Sequence, residues 1–476
     1  MADIEITVDG GSSKRLLTAG KYCDKNILVT ATGGGGAPEP QRRGEVNFYD
    51  FDGTLLRSYT LAEAKSLSEL PDGPVHDGLV FQGWSFSLAA LAACTGPVDV
   101  GAVYITDDGK TRLFMEIPAN AMEGKPPVFG DVKVNIGQTV AHGVTVDWGD
   151  GSAPETAGDV GAVSFTHTYA QSGRFCIALD PADGCELILG GWGDPSQGDY
   201  PGVVGSMEGL DINLLCGVSV GKNVSGIGLG AFSYAMALSS VTLPRNVTAI
   251  GISAFSGASS LECVVIPDSV TEIGPATFSN CTSLRLVILP ERLTGIAENL
   301  FYGCDSLRRL TVPDGVESVG ARAFCNCGAL SGLRLPPSVD SIGESAFQDC
   351  ELLFWLELPE GLSELSANMC NYCYLLNAVT IPDSVTKIGE QALYSCGMLS
   401  SVTVPRGVTE IGAAAFWYSG LKEIHLLPEV PPALNEAFWE GSERQPPVIY
   451  IPRGSLEAYQ TANYWSGVAE YIVEEM

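Results

Sequence analysis

The chain has 476 residues, is 45% apolar and 17% charged, and carries a formal charge of −30. That apolar share excludes a disordered chain, the length exceeds what one core usually holds, and the acidity excludes nucleic acid as a partner, because phosphate binding needs a basic stripe that releases counterions. The most apolar short run, FSLAALAAC at 86–94, is far below the ~18 residues that span a bilayer, so no membrane insertion is expected.

In chain order, the start MADIEITVDGG lacks the basic and apolar regions of a secretory signal. The expectation is a soluble protein that the Sec machinery does not export. Residues 1–33 hold short strand patterns around Gly/Lys turns, and 34–44 (GGGAPEPQRRG) read as a linker by composition. The opening segment is similar to short modules of phage tail and appendage proteins, which implies an attachment role.

Residues 45–120 form the next module. Within it, Asp50-Phe51-Asp52-Gly53-Thr54 resembles the D-x-D-G-T signature of haloacid-dehalogenase-type phosphotransferases, where Asp50 would be the nucleophile and Asp52 the general acid. That chemistry needs a Rossmann-like core, a later lysine and an acidic metal pair. The segment is too short for such a core, and its candidate pair, Asp107 and Asp108, lies in GAVYITDDGKTRLFMEI, which reads as a strand–DG–strand hairpin. The same residues resemble the internalin B-repeat type through Pro74, Gly78, Phe81, Gly83 and Trp84. That resemblance implies a β-grasp-like module in which Asp52-Gly53 is a hairpin turn, and it is preferred to the enzyme.

Residues 121–190 carry VTVDWGDGS (144–152) and FTHTYAQSGRFCIAL (165–179) and resemble a PKD-type β-sandwich, a spacer. Asp147, Asp150 and His167 could hold a metal, but turn and packing roles are preferred. The histidines His76, His142, His167 and His425 show no metal-ligand spacing. Residues 191–214 are a connector.

From 215 to 448 the chain repeats every 23 residues. Proline recurs from Pro244 to Pro428, an apolar residue from Ile227 to Ile411, and an aromatic at Phe232, Phe255, Phe278, Phe301, Phe324, Phe347 and Phe416, with Cys370 and Leu393 as substitutes. L-x-x-V-x-I predicts a strand with one buried face, proline ends it, and I-G-x-x-A-F closes the coil. One coil cannot bury its apolar side, so coils must stack into a solenoid. The pattern resembles the BspA-like leucine-rich repeats, and the ending (449–476) resembles that family's cap: a last strand at Ile449–Ile451, then a helix opening near Ser455. Cys281, Cys304, Cys327, Cys350, Cys373 and Cys396 keep the same step and read as one buried structural rung, suited to a reducing compartment.

No P-loop or H-E-x-x-H occurs, so no enzyme, cofactor, metal or catalytic residue is assigned. Aligned coils place Arg285, Arg308, Arg309 and Arg334 in or beside one strand face, with Phe354, Trp355 and Glu357 on the next coil, a candidate patch for an anionic or sugar ligand. Pairing of these arginines with neighbouring glutamates is the alternative. The layout as a whole is similar to phage or prophage virion proteins (tail-tip, fibre or head-fibre). That implies host-surface recognition, a location in the virion, other virion proteins as partners of the N-terminal module, and a bacterial surface glycan or protein as partner of the repeats. A homo-oligomer is compatible with the sequence, and the second reading is a cell-surface or secreted adhesin.

Overall fold

Because each L-x-x-V-x-I strand offers one apolar face, the coils stack and share it. The computed structural model describes residues 45–94, 96–117, 131–190, 214–434, 438 and 446–475, with strands at 4–9, 13–17, 27–32 and 204–206. It is a β-solenoid of about 11 turns of ~23 residues with small β modules ahead of it.

Strands β1 (Ile4–Asp9), β2 (Ser13–Leu17) and β3 (Ile27–Thr32) form a sheet in the order β1-β3-β2. The next module is a mixed sheet ordered β5-β4-β7-β6, from β4 (Val46–Tyr49), β5 (Leu55–Tyr59), β6 (Leu79–Trp84) and β7 (Val98–Thr106). Helices α1 (Leu61–Lys65) and α2 (Leu88–Ala93) accompany it. Thr60 starts α1 with a capping box to Glu63. Phe48, Trp84, Leu91, Val100 and Tyr104 fill the core, and the Trp84 indole N–H donates to the Pro71 carbonyl at 2.7 Å.

The turn Asp107–Gly109 corrects one expectation. Its flanking strands are not a hairpin: β7 pairs with β4 and β6, whereas β8 (Thr111–Ile117) pairs with Gly173–Pro181 and with Leu215–Ser219. β7 is buried on both faces, while β8 has a single apolar face (Leu113, Met115, Ile117) that only a different core can cover.

That core belongs to a two-sheet sandwich. One sheet contains β8, Gly173–Pro181, Val144–Asp147 and Glu155–Thr156; the other contains Asp131–Gln138, Gly161–Thr168 and Leu187–Leu189. The first continues through Leu215–Ser219 into Ser240–Thr242, the second through Val224–Ile227 into Ala249–Ile250 and Glu272–Ile273. The sandwich therefore closes the first coil, and one apolar core runs from Leu113 to Ile472. A solenoid end left open would expose core and strand edges.

Inside the coils the periodic residues do what their spacing predicts. The rings Phe232, Phe255, Phe278, Phe301, Phe324 and Phe347 stack with centroids 5.2–5.8 Å apart and planes within 3–21°. Each rung thiol reaches a carbonyl 26 residues earlier: Cys281, Cys304, Cys327, Cys350 and Cys373 at 3.1 Å, Cys396 at 3.4 Å. The thiols thus add a second donor to buried carbonyls that already accept a backbone N–H three residues on, and burial pushes the Cys281 thiol up to about 12. Two positions per coil have positive φ, a conformation costing a non-glycine residue on the order of 1 kcal/mol.

At the far end, Val448–Ile451, helix α3 (Leu456–Thr461) and a 3-10 helix (Trp465–Tyr471) are followed by a further strand, Ile472–Glu474, that pairs with Val448–Ile451. Tyr459 and Trp465 are buried and donate to the carbonyls of Pro428 and Pro432, each at 2.8 Å. Among the described residues no helix is long and apolar enough to cross a membrane.

Candidate recognition surface

In each coil the residue between two strand neighbours points inward (Val264, Val287, Leu333, Leu356) and its flanks point outward. Stacking aligns the flanks in two columns. One runs Ser240, Cys263, Leu286, Arg309, Gly332, Trp355, Ala378 and Ser401; the other runs Thr242, Val265, Ile288, Thr311, Arg334, Glu357, Thr380 and Thr403.

The first part of this face is covered by the chain itself. β7 lies across Ser240–Thr242, Cys263–Val265 and Leu286–Ile288, and Tyr49 and Val103 close a small core with Cys263, Val265, Leu286 and Ile288. Gly101 sets the approach, since a Cβ there would come within 2.4 Å of a Val265 methyl. Polar bonds frame the contact. The Arg245 backbone N–H donates to Gln82 Oε1 at 2.9 Å and its guanidinium to the Trp84 carbonyl at 2.7 Å. The Arg309 guanidinium reaches the buried Asp99 carboxylate at 3.3 Å and the Tyr49 hydroxyl. The sequence carried a signal for this docking: CVV and LVI are apolar at both outward positions, where GLR and WLE are not.

The seven residues singled out from the sequence therefore fall into different settings. Arg309 belongs to the docked interface. Arg285 pairs with Glu262. Arg334 sits at the module's border, against Gly96 and 3.7 Å from Glu357. Arg308 is exposed. Phe354 and Trp355 are 48% and 47% exposed, and the Trp355 indole lies over Gly332, where a Cβ would come within 2.2 Å of the ring. Beyond Trp355 the open columns are small and polar until His425, which stacks on Tyr450 at 4.7 Å and touches Glu475 at 2.9 Å.

Two carboxylate–imidazole pairs lie in the front modules. Asp50 is buried in the β4–β5 turn, where its carboxylate accepts from the Phe51 N–H and the Tyr104 hydroxyl, both at 2.9 Å, and meets His76 Nε2 at 2.8 Å. Burial and this carboxylate push the Tyr104 phenol far above its usual range. Asp52 accepts from Thr54 N–H, and Gly53 has φ 84°, as a tight turn requires. Asp150 meets His167 at 2.7 Å, and its acceptance from Ser152 draws it down to about 2. His167 stacks on Trp148, and Tyr169 donates to the Trp148 carbonyl at 2.9 Å. Asp147 caps its own turn through Gly149 N–H. Both pairs lock turns and cores, and among the described residues no cluster of three or more His, Cys, Asp or Glu could hold a metal.

Residues 214–331 and 317–443 match the family described as BspA type Leucine rich repeat region, in six copies. The chain matches no curated protein. Among solved structures it is similar to a leucine-rich repeat protein of Bacteroides ovatus (24% identity, 54% of this chain and 77% of that one, TM-score 0.35). It is also similar to a leucine-rich cell surface protein of Faecalibacterium prausnitzii (28%, 50% and 61%, TM-score 0.33) and to the T. pallidum leucine-rich repeat protein (31%, 39% and 84%, TM-score 0.31).

Proposed function

The chain belongs, through residues 214–443, to the BspA-type leucine-rich repeat family, and on that premise we propose that it is a non-enzymatic adhesion protein presenting the open coils of its solenoid to a bacterial surface glycan or protein. The observation that carries this reading is the division of the strand face. The front module seals the coils up to Leu286–Ile288 with an apolar contact, and among the described residues nothing comparable covers the face from Gly332 onward, headed by the half-exposed Phe354 and Trp355. An indole seated on a glycine, with Arg334 and Glu357 in the neighbouring column, is an anchor of the kind that dominates binding energy.

Two settings fit this role. As a phage or prophage virion appendage, the chain joins other virion proteins through residues 1–33 and faces the host with its repeats; as a bacterial surface adhesin, it shows the same face from the cell. The virion setting follows from the resemblance of residues 1–33 to phage appendage modules. Density-gradient purification of particles from the producing strain, followed by mass spectrometry, separates the two: stoichiometric co-purification supports the virion, and recovery in the cell envelope supports the adhesin. Binding of the fluorescently labelled chain to whole bacteria tests the role itself. Trp355→Ala and Arg308→Ala should each weaken it at least tenfold, and unchanged binding in both would remove the strand face from consideration.

A further inference from the structure

The third side of the solenoid, formed by the turns that follow each A-F pair, repeats one constrained backbone position. Residues 234, 257, 280, 303, 326, 349, 372, 395 and 418 stand 23 apart and all have φ between 56° and 75°. Gly257, Asn280, Gly303, Asn326 and Asp349 suit that left-handed conformation. Tyr234, Tyr372 and Tyr418 do not: a bulky side chain there is an outlier, and strain of this kind clusters where function uses the residue.

Two of the three misfit tyrosines, Tyr372 and Tyr418, belong to one array. Tyr394, on the coil between them, meets Tyr372 edge-on at 5.5 Å and 79°, and Tyr418 at 5.3 Å and 74°. Tyr374 flanks Tyr372 at 5.9 Å and Trp417 flanks Tyr418 at 6.2 Å. Tyr418 is 46% exposed and the others are half-buried. Beside the rings, buried Asn371 donates to Asn368 Oδ1 at 2.9 Å and to Gln391 Oε1 at 3.1 Å. Those bonds hold the two outer amides in place, with their N–H groups unbonded among the described residues.

We infer that this edge binds a neutral, extended β-linked glycan running along the solenoid axis, with Tyr372, Tyr394, Trp417 and Tyr418 stacking on its sugar rings and Asn368 and Gln391 donating to its hydroxyls. Aromatic faces match the apolar C–H faces of pyranoses, and a few fixed amides beside them supply orientation. Tyr372 and Tyr418 lie two coils apart, about 10 Å at the strand spacing, so successive rings address successive parts of a linear chain. Charge selects neutrality: the turns 367–374, 390–397 and 413–420 contain one charged residue, Glu390, and it lines a groove with Glu364, Lys387 and Glu410. The inference rests on the reading of this chain as a binding protein, but not on the strand face being the surface used.

The test is native affinity electrophoresis of the full chain in gels cast with hydroxyethyl cellulose, konjac glucomannan or laminarin. Polygalacturonate and a labelled decaproline peptide serve as the anionic and peptide competitors. The expected result is retardation by at least one neutral glycan, weakened at least tenfold in Trp417→Ala and in the double variant Tyr372→Gly/Tyr418→Gly. Because glycine suits both left-handed positions, the double variant should melt no lower than the parent, which a purely structural role for these rings would not allow. Retardation by none of the neutral glycans, binding to decaproline or polygalacturonate alone, or retardation that survives both variants would overturn the inference. Loss in Trp355→Ala with these variants unaffected would also overturn it, while leaving the strand-face reading intact.

Discussion

The coils at 263–288 and those at 332–403 share one backbone and one inner core, yet their outer faces do opposite things. Cys263, Val265, Leu286 and Ile288 are sealed under β7, while Arg334, Trp355 and Glu357 stand in solvent. The difference lies wholly in the outward side chains: an apolar pair on consecutive rungs makes a docking site, and a mixed pair leaves a surface for an outside partner. It also shows that solenoid length and recognition area are separate quantities, because the chain occupies part of its own face.

The comparison breaks most sharply at Val265→Asp, which puts an unpaired carboxylate into the sealed contact. We expect a loss of about 3 kcal/mol together with release of the front module. Maleimide labelling with peptide mapping checks this through Cys263, which is buried in the parent and should become reactive. Next comes a matched pair on the same outward column. Leu286→Ala should cost about 2 kcal/mol, whereas Trp355→Ala should stay within about 0.5 kcal/mol, both by denaturant unfolding. If the two cost the same, the covered and open coils are not distinct.

The arginines give a smaller contrast. Arg309→Ala leaves Asp99 buried without its guanidinium and should cost roughly 1–2 kcal/mol. Arg334→Ala, which breaks an exposed pair, should be nearly silent, and thermal melts in parallel compare the two. The smallest effect is a pH dependence at Glu291, beside the module's Cys94. Burial, then the charges of Asp268 and Asp314, push this carboxyl up from 4.5 to about 7 against the pull of Arg292. The folded state therefore holds the proton more tightly than the unfolded one, so this stability is complete below about pH 4.5 and falls as pH rises through about 7. Glu291→Gln should flatten that slope and raise the melting temperature at pH 8 by on the order of 1 °C.

Much of this was legible beforehand for a physical reason. A 23-residue period repeats every local environment, so the phenylalanine stack, the cysteine rung and the proline stops could be read from spacing alone. The same spacing put Trp355 on an outward flank. The Asp52-Gly53 turn was legible from its dipeptide. Other contacts were not, because they join residues with no common period: Asp50 to His76 and Tyr104, Asp99 to Arg309, Gly101 to Val265. The β7–β8 turn looked like a hairpin because DG between two strands favours one, and only the separate cores decided otherwise.

By itself, then, the sequence determined the coil, its inner ladders and the lid at its C-terminal end, since each follows from local periodicity and burial. The tertiary structure alone decided that β8 crosses into the sandwich, that the sandwich grows into the first coils as their cap, and that the front module sits on the solenoid and divides its face. Those outcomes depend on which apolar surface finds which partner across more than a hundred residues, and pattern along the chain carries no record of that distance.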